Sequence, residues 1–336
     1  MINVGIWGCG GISSFHRRAY DYLEKQGVGV KLVALCDINK DNFNNEKKIN
    51  ISKENTSRLP IIDNCYTDID EMLENEKLDL VDICLPTFLH KDACIKLLEK
   101  NINVFVEKPM ASSANECEEI LCAAEKSKGR LMVGQCVRFM KHYNYLKEIV
   151  ESKKYGRLIS AEFSRLSQYP TWRKADCKND SGAILDLHIH DVDFVQYVFG
   201  IPKALSSVSA DNHSSFDTVS TIFKYDEGFV HINADWSLPQ SFEFTTPYRV
   251  TFERAGIEFN GKDKIFLYKD DERTELSEIE ITQDYIREEI AYFIDIIKNN
   301  NDNNINPPTS SAMAVKLTEE ILKSAKSDGQ WLYFNQ

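Results

Sequence analysis

Gly5-Ile6-Trp7-Gly8-Cys9-Gly10-Gly11-Ile12-Ser13 stands near the start of the 336-residue chain, and its reading decides the rest. An apolar run ends in Gly8-x-Gly10-x-x-Ser13, and a helical pattern over 14–26 follows. Glycines at such a turn allow close backbone approach to a pyrophosphate, which the free N–H groups and dipole of the helix N-terminus stabilise. Gly8, Cys9, Gly10, Gly11 and Ile12 are therefore candidate dinucleotide contacts, with Ser13 in place of a third glycine. A glycine-rich strand-to-helix turn without a ligand is the competing reading. Asp37 closes the next apolar run, Val33-Ala34-Leu35-Cys36-Asp37. A carboxylate there can accept from both ribose hydroxyls of NAD and repels a 2′-phosphate, so NAD is expected in preference to NADP. Lys40 nearby leaves some tolerance for phosphate.

Outward from this loop, β-rich runs at 3–7, 31–36, 80–85, 103–106 and 131–134 alternate with helical patterns at 14–26, 39–57, 91–100 and 114–128. Nearly continuous apolar strands between helices predict a doubly wound parallel sheet covered on both faces. Beyond about residue 155 long strand-like runs take over, at 158–166, 204–210, 218–225, 229–236, 249–253, 257–259 and 265–268. Val230, Ile232, Ala234 and Trp236 alternate with His231, Asn233 and Asp235, which predicts a sheet with one covered face, and Asp226-Glu227-Gly228 reads as a hairpin turn. The expected class is α/β, with a first domain over 1–132 and a second, mostly antiparallel α+β domain over 133–309. One helix interrupts the second domain near 184–199, and a last helix spans about 310–326.

Ligands of an open parallel sheet bind outside the carboxyl ends of its strands. The groups that close the later strands, Leu85-Pro86-Thr87-Phe88-Leu89-His90, Glu107-Lys108-Pro109 and Gln135, should therefore converge there. Leu85, Pro86, Thr87, His90, Glu107, Lys108 and Gln135 join the candidate cofactor contacts. Lys108 precedes a proline, which biases it to an extended conformation and admits a cis bond. A solvated turn lysine is the alternative. In Asp186-Leu187-His188-Ile189-His190-Asp191-Val192-Asp193, Asp186 and His190 share a helical face, as an acid/base pair requires. A solvated stripe of Asp186, His190 and Asp193 competes with this, as does a metal site from His188, His190 and Asp191. Of these, acid/base work is preferred and no metal is expected. Tyr169-Pro170-Thr171-Trp172-Arg173 could wrap the cofactor, with Trp172 and Arg173 as its contacts, and Arg165, Asn233, Trp236 and Tyr285 could line a substrate face. His16 reads as packing or capping.

Composition narrows the partners. Forty Lys plus Arg against 52 Asp plus Glu give a net charge of −12, which disfavours nucleic acid and anionic membranes and leaves a small molecule. No apolar run approaches the ~20 residues of a membrane span. Nine scattered cysteines without a Cys-x-x-Cys pair argue for reduced thiols. The first residues enter a strand pattern without a secretory signal, so a cytoplasmic location is expected.

Taken together these residues resemble the Gfo/Idh/MocA oxidoreductases, which include glucose–fructose oxidoreductase and inositol 2-dehydrogenase. The resemblance rests on the glycine loop with His16 beyond it, Pro86-Thr87-x-x-His90, Glu107-Lys108-Pro109, Arg138-Phe139, Tyr155-Gly156-Arg157-Leu158-Ile159 and Asp186-x-x-x-His190. It implies a Rossmann domain followed by a domain with a large, mostly antiparallel open sheet that commonly makes oligomer contacts, so a homodimer or homotetramer is expected. It further implies that the final helix, 310–336, packs back on the first domain. Lys108 would contact the reacting hydroxyl and the nicotinamide, and His190, partnered by Asp186, would accept or donate the proton. Lys108, Arg165, Asp186, His190 and Tyr285 would then meet a polyol or sugar, oxidised at a secondary alcohol by NAD. His188 departs from the family, where many members carry a small residue, and would reshape the pocket or touch the sugar. A nucleotide-binding sensor without catalysis is the alternative on the same scaffold.

Overall fold

The computed structural model describes residues 1–44, 58–170, 181–281 and 284–334. Two compact units are present, one of Met1–Cys136 with Asp284–Ala312 and one of Val137–Gln283 with Met313–Gln336. The first holds six parallel strands, β1 (Ile2–Trp7), β2 (Val30–Cys36), β3 (Asn64–Tyr66), β4 (Leu80–Ile83), β5 (Asn103–Glu107) and β6 (Leu131–Gly134). Their spatial order is β3-β2-β1-β4-β5-β6, so the strand order reverses between β1 and β4. β4 and β6 are buried along their whole length, which requires cover on both faces. That cover comes from α1 (Ser13–Lys25), α2 (Ile69–Asn75), α3 (His90–Glu99) and α4 (Ala114–Lys126), with α7 (Tyr285–Asn299) packed on α1.

The short pair β3 and α2 was not among the elements expected from sequence. One helical turn carries little periodicity; its signal is Asp68, whose carboxylate accepts the N–H groups of Asp70 and Glu71 as an N-cap. Of the helix expected over 39–57, the described part is a single 3-10 turn, Lys40–Phe43, and the remainder lies outside the described residues. In α1 the buried residues His16, Tyr20 and Leu23 follow the i, i+4, i+7 spacing of a sheet-facing stripe. That spacing, set by the apolar neighbours, carries His16 into the interior.

The second unit is a nine-stranded sheet formed by β7 (Leu158–Gln168), β8 (Ala204–Ala210), β9 (Thr218–Lys224), β10 (Phe229–Leu238), β11 (Tyr248–Phe252), β12 (Gly256–Phe259), β13 (Ile265–Lys269), β14 (Glu272–Glu275) and β15 (Leu332–Tyr333). The order is β14-β13-β12-β11-β7-β10-β9-β8-β15, antiparallel except where β10 runs parallel to β7. Val230, Ile232, Ala234 and Trp236 are buried and their alternates are not, as the period of two required. The turn at 226–228 closes a hairpin in which the Tyr225 N–H donates to the Gly228 carbonyl. Helices α5 (Lys141–Ser152), α6 (Ile189–Phe199) and most of α8 (Pro308–Lys326) belong to this unit. The family resemblance implies that the final helix, 310–336, packs back on the first domain. Instead 284–312, carrying α7, is the segment grouped with the first unit, and 313–336 is grouped with the second, where β15 pairs with β8. No helix among the described residues is long and apolar enough to cross a membrane.

Candidate functional site

At the end of β1 the chain turns through Gly8 with φ +99°, and a Cβ there would stand 2.6 Å from the Cys84 carbonyl oxygen. Only glycine fits that crossing of β1 and β4. Gly10 is the opposite case, with open space where a Cβ would be. The N-cap of α1 is Ile12, which has no polar side chain to cap the first turn, and Ser13 Oγ donates back to the Gly10 carbonyl at 2.6 Å, so an anion can take the capping role. Asp37 faces this loop: Oδ2 accepts the Cys9 N–H at 2.7 Å, and Oδ1 accepts the Asn39 N–H and the Asn42 amide. The carboxylate thus shapes the loop as well as offering charge at the β2 end. Burial, with Asp37 beside it, pushes the Cys9 thiol up to about 12, so it remains protonated.

Lys108 follows β5. Its N–H donates to Glu107 Oε2 at 3.1 Å, and the Lys108–Pro109 bond is cis. His90 was expected to touch the cofactor, yet the structure gives it another task. Its ring nitrogens lie 2.8 Å from the carbonyl oxygens of Pro109 and Leu85, so the ring sits between the ends of β4 and β5, and its one N–H when neutral can donate to either carbonyl. Burial lowers its pKa more than those two carbonyls raise it. On the 3-10 turn Thr87–Leu89, Phe88 and Leu89 are exposed and Thr87 is half-buried. Gln135 is buried at the end of β6, and its amide nitrogen has no hydrogen-bond partner among the described residues. The uncapped helix, the open space at Gly10 and this orphaned donor all suit a dinucleotide laid along the strand ends.

Beneath this edge lies a polar cluster that the sequence reading missed. His16 Nδ1 is 2.8 Å from Asp82 Oδ2 and its Nε2 is 3.0 Å from Glu107 Oε1, while the Tyr20 hydroxyl donates to Asp82 at 3.0 Å. Burial opposes the charged ring, but Asp82 and Cys84 outweigh it and hold the imidazolium pKa well above its ordinary value. Glu289 on α7 is fully buried, and burial and Glu107 raise its pKa well above the carboxylate range. Two signals were available in sequence: an acid inside the apolar run Leu80–Ile83, and Glu289 in register with Ile286 and Phe293 on an otherwise apolar stripe. His16, Asp82 and Cys84 lie close enough to enclose a metal ion. The imidazole–carboxylate bond fills the position an ion would take, and burial keeps the Cys84 thiol protonated, so the group reads as a hydrogen-bond network.

In the second unit, Gly182 (φ +55°) precedes a π turn, Ile184–His188, that runs into α6. Four residues make close to one full turn in either geometry, so Asp186 and His190 stay on one side, and both are half-buried. The competing metal set is dismantled. The His188 ring is buried with Nε2 2.9 Å from Thr221 Oγ1, and burial takes its pKa down to about 3. Asp191 accepts two hydrogen bonds from Arg165, at 2.9 and 3.0 Å. His188 therefore packs against the sheet rather than reaching a sugar, and Arg165 is spent in part on Asp191. Asp193, weighed as part of a solvated stripe, is 1% exposed and bound by Arg138 at 2.6 and 2.8 Å.

Of the remaining candidates, Trp236 is buried with Nε1–H donating to Asp217, and Asn233 lies on the sheet face opposite Ala234 and Arg165, away from α6. Tyr285 opens α7 and so counts with the first unit, not the second. Trp172 and Arg173 lie outside the described residues.

Residues 2–135 match the family model described as "Oxidoreductase family, NAD-binding Rossmann fold", and residues 143–258 match the "GFO/IDH/MocA C-terminal domain". The chain belongs to the Gfo/Idh/MocA oxidoreductase family, and its first unit is an NAD-binding Rossmann domain. Among curated relatives it is 29% identical over 225 residues to glucose-6-phosphate 3-dehydrogenase of Bacillus subtilis (strain 168), covering 65% of this chain and 59% of that protein. It is 32% identical over 139 residues to 2,7-anhydro-N-acetylneuraminate hydratase of Mediterraneibacter gnavus, covering 40% and 37%. These alignments span between about a third and three fifths of the relatives' lengths. The fold extends over the whole chain. A levoglucosan dehydrogenase solved with NADH and L-sorbose superposes with a TM-score of 0.83 at 16% identity, over 100% of this chain and 99% of that one. A protein described as a putative myo-inositol dehydrogenase from Sinorhizobium meliloti 1021 does so with 0.78 at 18%, over 100% of both chains.

Proposed function

We propose that the protein is an NAD-dependent dehydrogenase that interconverts a secondary alcohol and a ketone on a cyclitol, sugar or sugar derivative. The observation that carries this reading is the joint presence of the braced Lys108 turn and of Asp186 and His190 on one side of the π-to-α segment. Relatives named as dehydrogenases of glucose 6-phosphate and inositol support the substrate class.

When bound, NAD supplies the acceptor for the hydride that leaves the alcohol carbon. A ring nitrogen of His190 takes the hydroxyl proton as the carbonyl forms, and Asp186 orients the imidazole and favours its protonated form. The Lys108 ammonium stabilises charge developing on the oxygen, an effect worth a few kcal/mol in a water-poor site. Ketone, NADH and one proton balance the reaction, and reduction runs through the same groups reversed. Lys108 and His190 touch substrate in this reading; Asp37 and the glycine loop hold the dinucleotide.

A cytoplasmic homo-oligomer accompanies the proposal. Val208, Ile222 and Phe229 are exposed on the uncovered sheet face, which supports assembly, and the described cysteines are free thiols, which supports a reducing compartment. The decisive test is to supply NAD and a panel of polyols, cyclitols and sugar phosphates and follow NADH absorbance. Turnover on a member of the panel is expected. Tight NADH binding with no turnover on any of them would instead favour the sensor reading.

A further inference from the structure

We propose that His16 is a positioning residue for the reaction: held as an imidazolium between Asp82 and Glu107, it fixes the Glu107 carboxylate that in turn holds the backbone of Lys108. This rests on the assignment of Lys108 to catalysis made above.

The chain of contacts is continuous and lies within the first unit. The Tyr20 hydroxyl donates to Asp82 Oδ2, the same oxygen lies 2.8 Å from His16 Nδ1, His16 Nε2 lies 3.0 Å from Glu107 Oε1, and Glu107 Oε2 accepts the Lys108 N–H. Both ring nitrogens face carboxylates, which accept only, so each must carry a proton for both contacts to be hydrogen bonds. Four elements face the ring: α1 with Tyr20, β4 with Asp82 and Cys84, β5 with Glu107, and α7 with Glu289. His16 also meets the Phe105 ring edge-on at 5.7 Å, which limits its freedom to turn. One positive charge between two carboxylates in a buried site makes strong charge-assisted bonds of fixed geometry. Gly134 leaves room for the Glu107 carboxylate, since a Cβ there would lie 3.1 Å from Oε1. Without the imidazolium, Glu107 would carry an unpaired buried charge and would take up a proton or turn away, and its hydrogen bond to the Lys108 N–H would be lost or shifted.

The experiment combines ring spectroscopy with a double-mutant cycle. In protein labelled with ¹⁵N-histidine, both His16 nitrogens should be protonated at pH 7, whereas in Glu107→Gln the ring should lose its second proton at lower pH than in the unmodified protein. His16→Asn and Glu107→Gln should each lower kcat by about tenfold or more, with NADH affinity kept within about threefold. The double variant should be no slower than the slower single variant by more than about threefold, because both changes cut one chain. A His16 ring that is neutral at pH 7 in the unmodified protein overturns the proposal. So do additive losses near a hundredfold, or a Glu107→Gln enzyme of undiminished kcat. If His16→Asn does not fold, Glu107→Gln and the ring spectrum decide. The spectrum needs no substrate, so a mistaken reaction assignment shows itself separately, as absent turnover with an intact doubly protonated ring.

Discussion

Asp191 and Asp193 leave α6 about 200° apart around its axis, and each ends in a two-pronged bond to a buried arginine. Asp191 ties the helix to Arg165 on β7, and Asp193 ties it to Arg138 in the 3-10 turn Cys136–Phe139. Arg138 also lies 4.4 Å from the centre of the Tyr197 ring, one turn further along the same helix. His190 therefore rides on a helix pinned from two sides.

Removing one partner of such a pair leaves a buried charge without a counterion, which costs about 3–5 kcal/mol. Asp193→Asn should show that loss in urea unfolding of the whole chain, and Asp193→Asn with Arg138→Met should recover much of it. A loss below about 1 kcal/mol in the single variant would mean that the pair carries little of the helix anchoring.

Lys108→Ala and His190→Ala should each reduce turnover by about 100-fold or more on a verified substrate, while NADH still binds. Stopped assays for NADH, with fluorescence titration of the nucleotide, separate the two effects. Near-normal rates in both variants would refute the roles given to these side chains.

Asp37, proposed to hold the dinucleotide, also accepts the Cys9 N–H. Asp37→Ser should weaken NADH binding by about tenfold or more and narrow its advantage over NADPH, since the repelling charge is gone. The ratio of the two dissociation constants is the measurement. An unchanged ratio would assign the residue to loop structure alone.

His142 and His188 are buried in the second unit, and burial, joined by the nearby Arg165 for both and by His231 for His188, takes them down to about 4 and about 3. In the unfolded chain both take up protons near pH 6.5, so between about pH 6.5 and 4 the unfolded state holds more protons and stability falls as pH falls. Each histidine contributes a slope of up to about 1.4 kcal/mol per pH unit in that window. The His142 ring packs tilted against Phe259 with ring centres 4.5 Å apart, and its Nδ1 has no hydrogen-bond partner among the described residues, so His142→Phe should keep the packing and remove one histidine's share. Parallel stability curves for the two proteins across that window would contradict this.

Local pattern was enough to establish the two-domain architecture, the glycine loop and the strand-end location of Asp37, Glu107 and Lys108. A period of two or of 3.6 fixes which residues face a core, and a parallel sheet with a reversal in strand order presents its strand ends on one edge. The sequence by itself did not determine what each inward polar side chain meets. His16 finds its partners 66 and 91 residues away, and Asp193 finds Arg138 at a separation of 55. Periodicity says only that such residues are buried; their partners follow from which strands and helices the fold brings together. That is why His16 reads as packing or capping in sequence, and why a solvated stripe with Asp193 and a metal site with His188 stay open there as competing readings. In the folded chain the need to satisfy every buried charge and donor makes the first two members of ion-paired networks and turns the third into a neutral hydrogen-bond partner of Thr221.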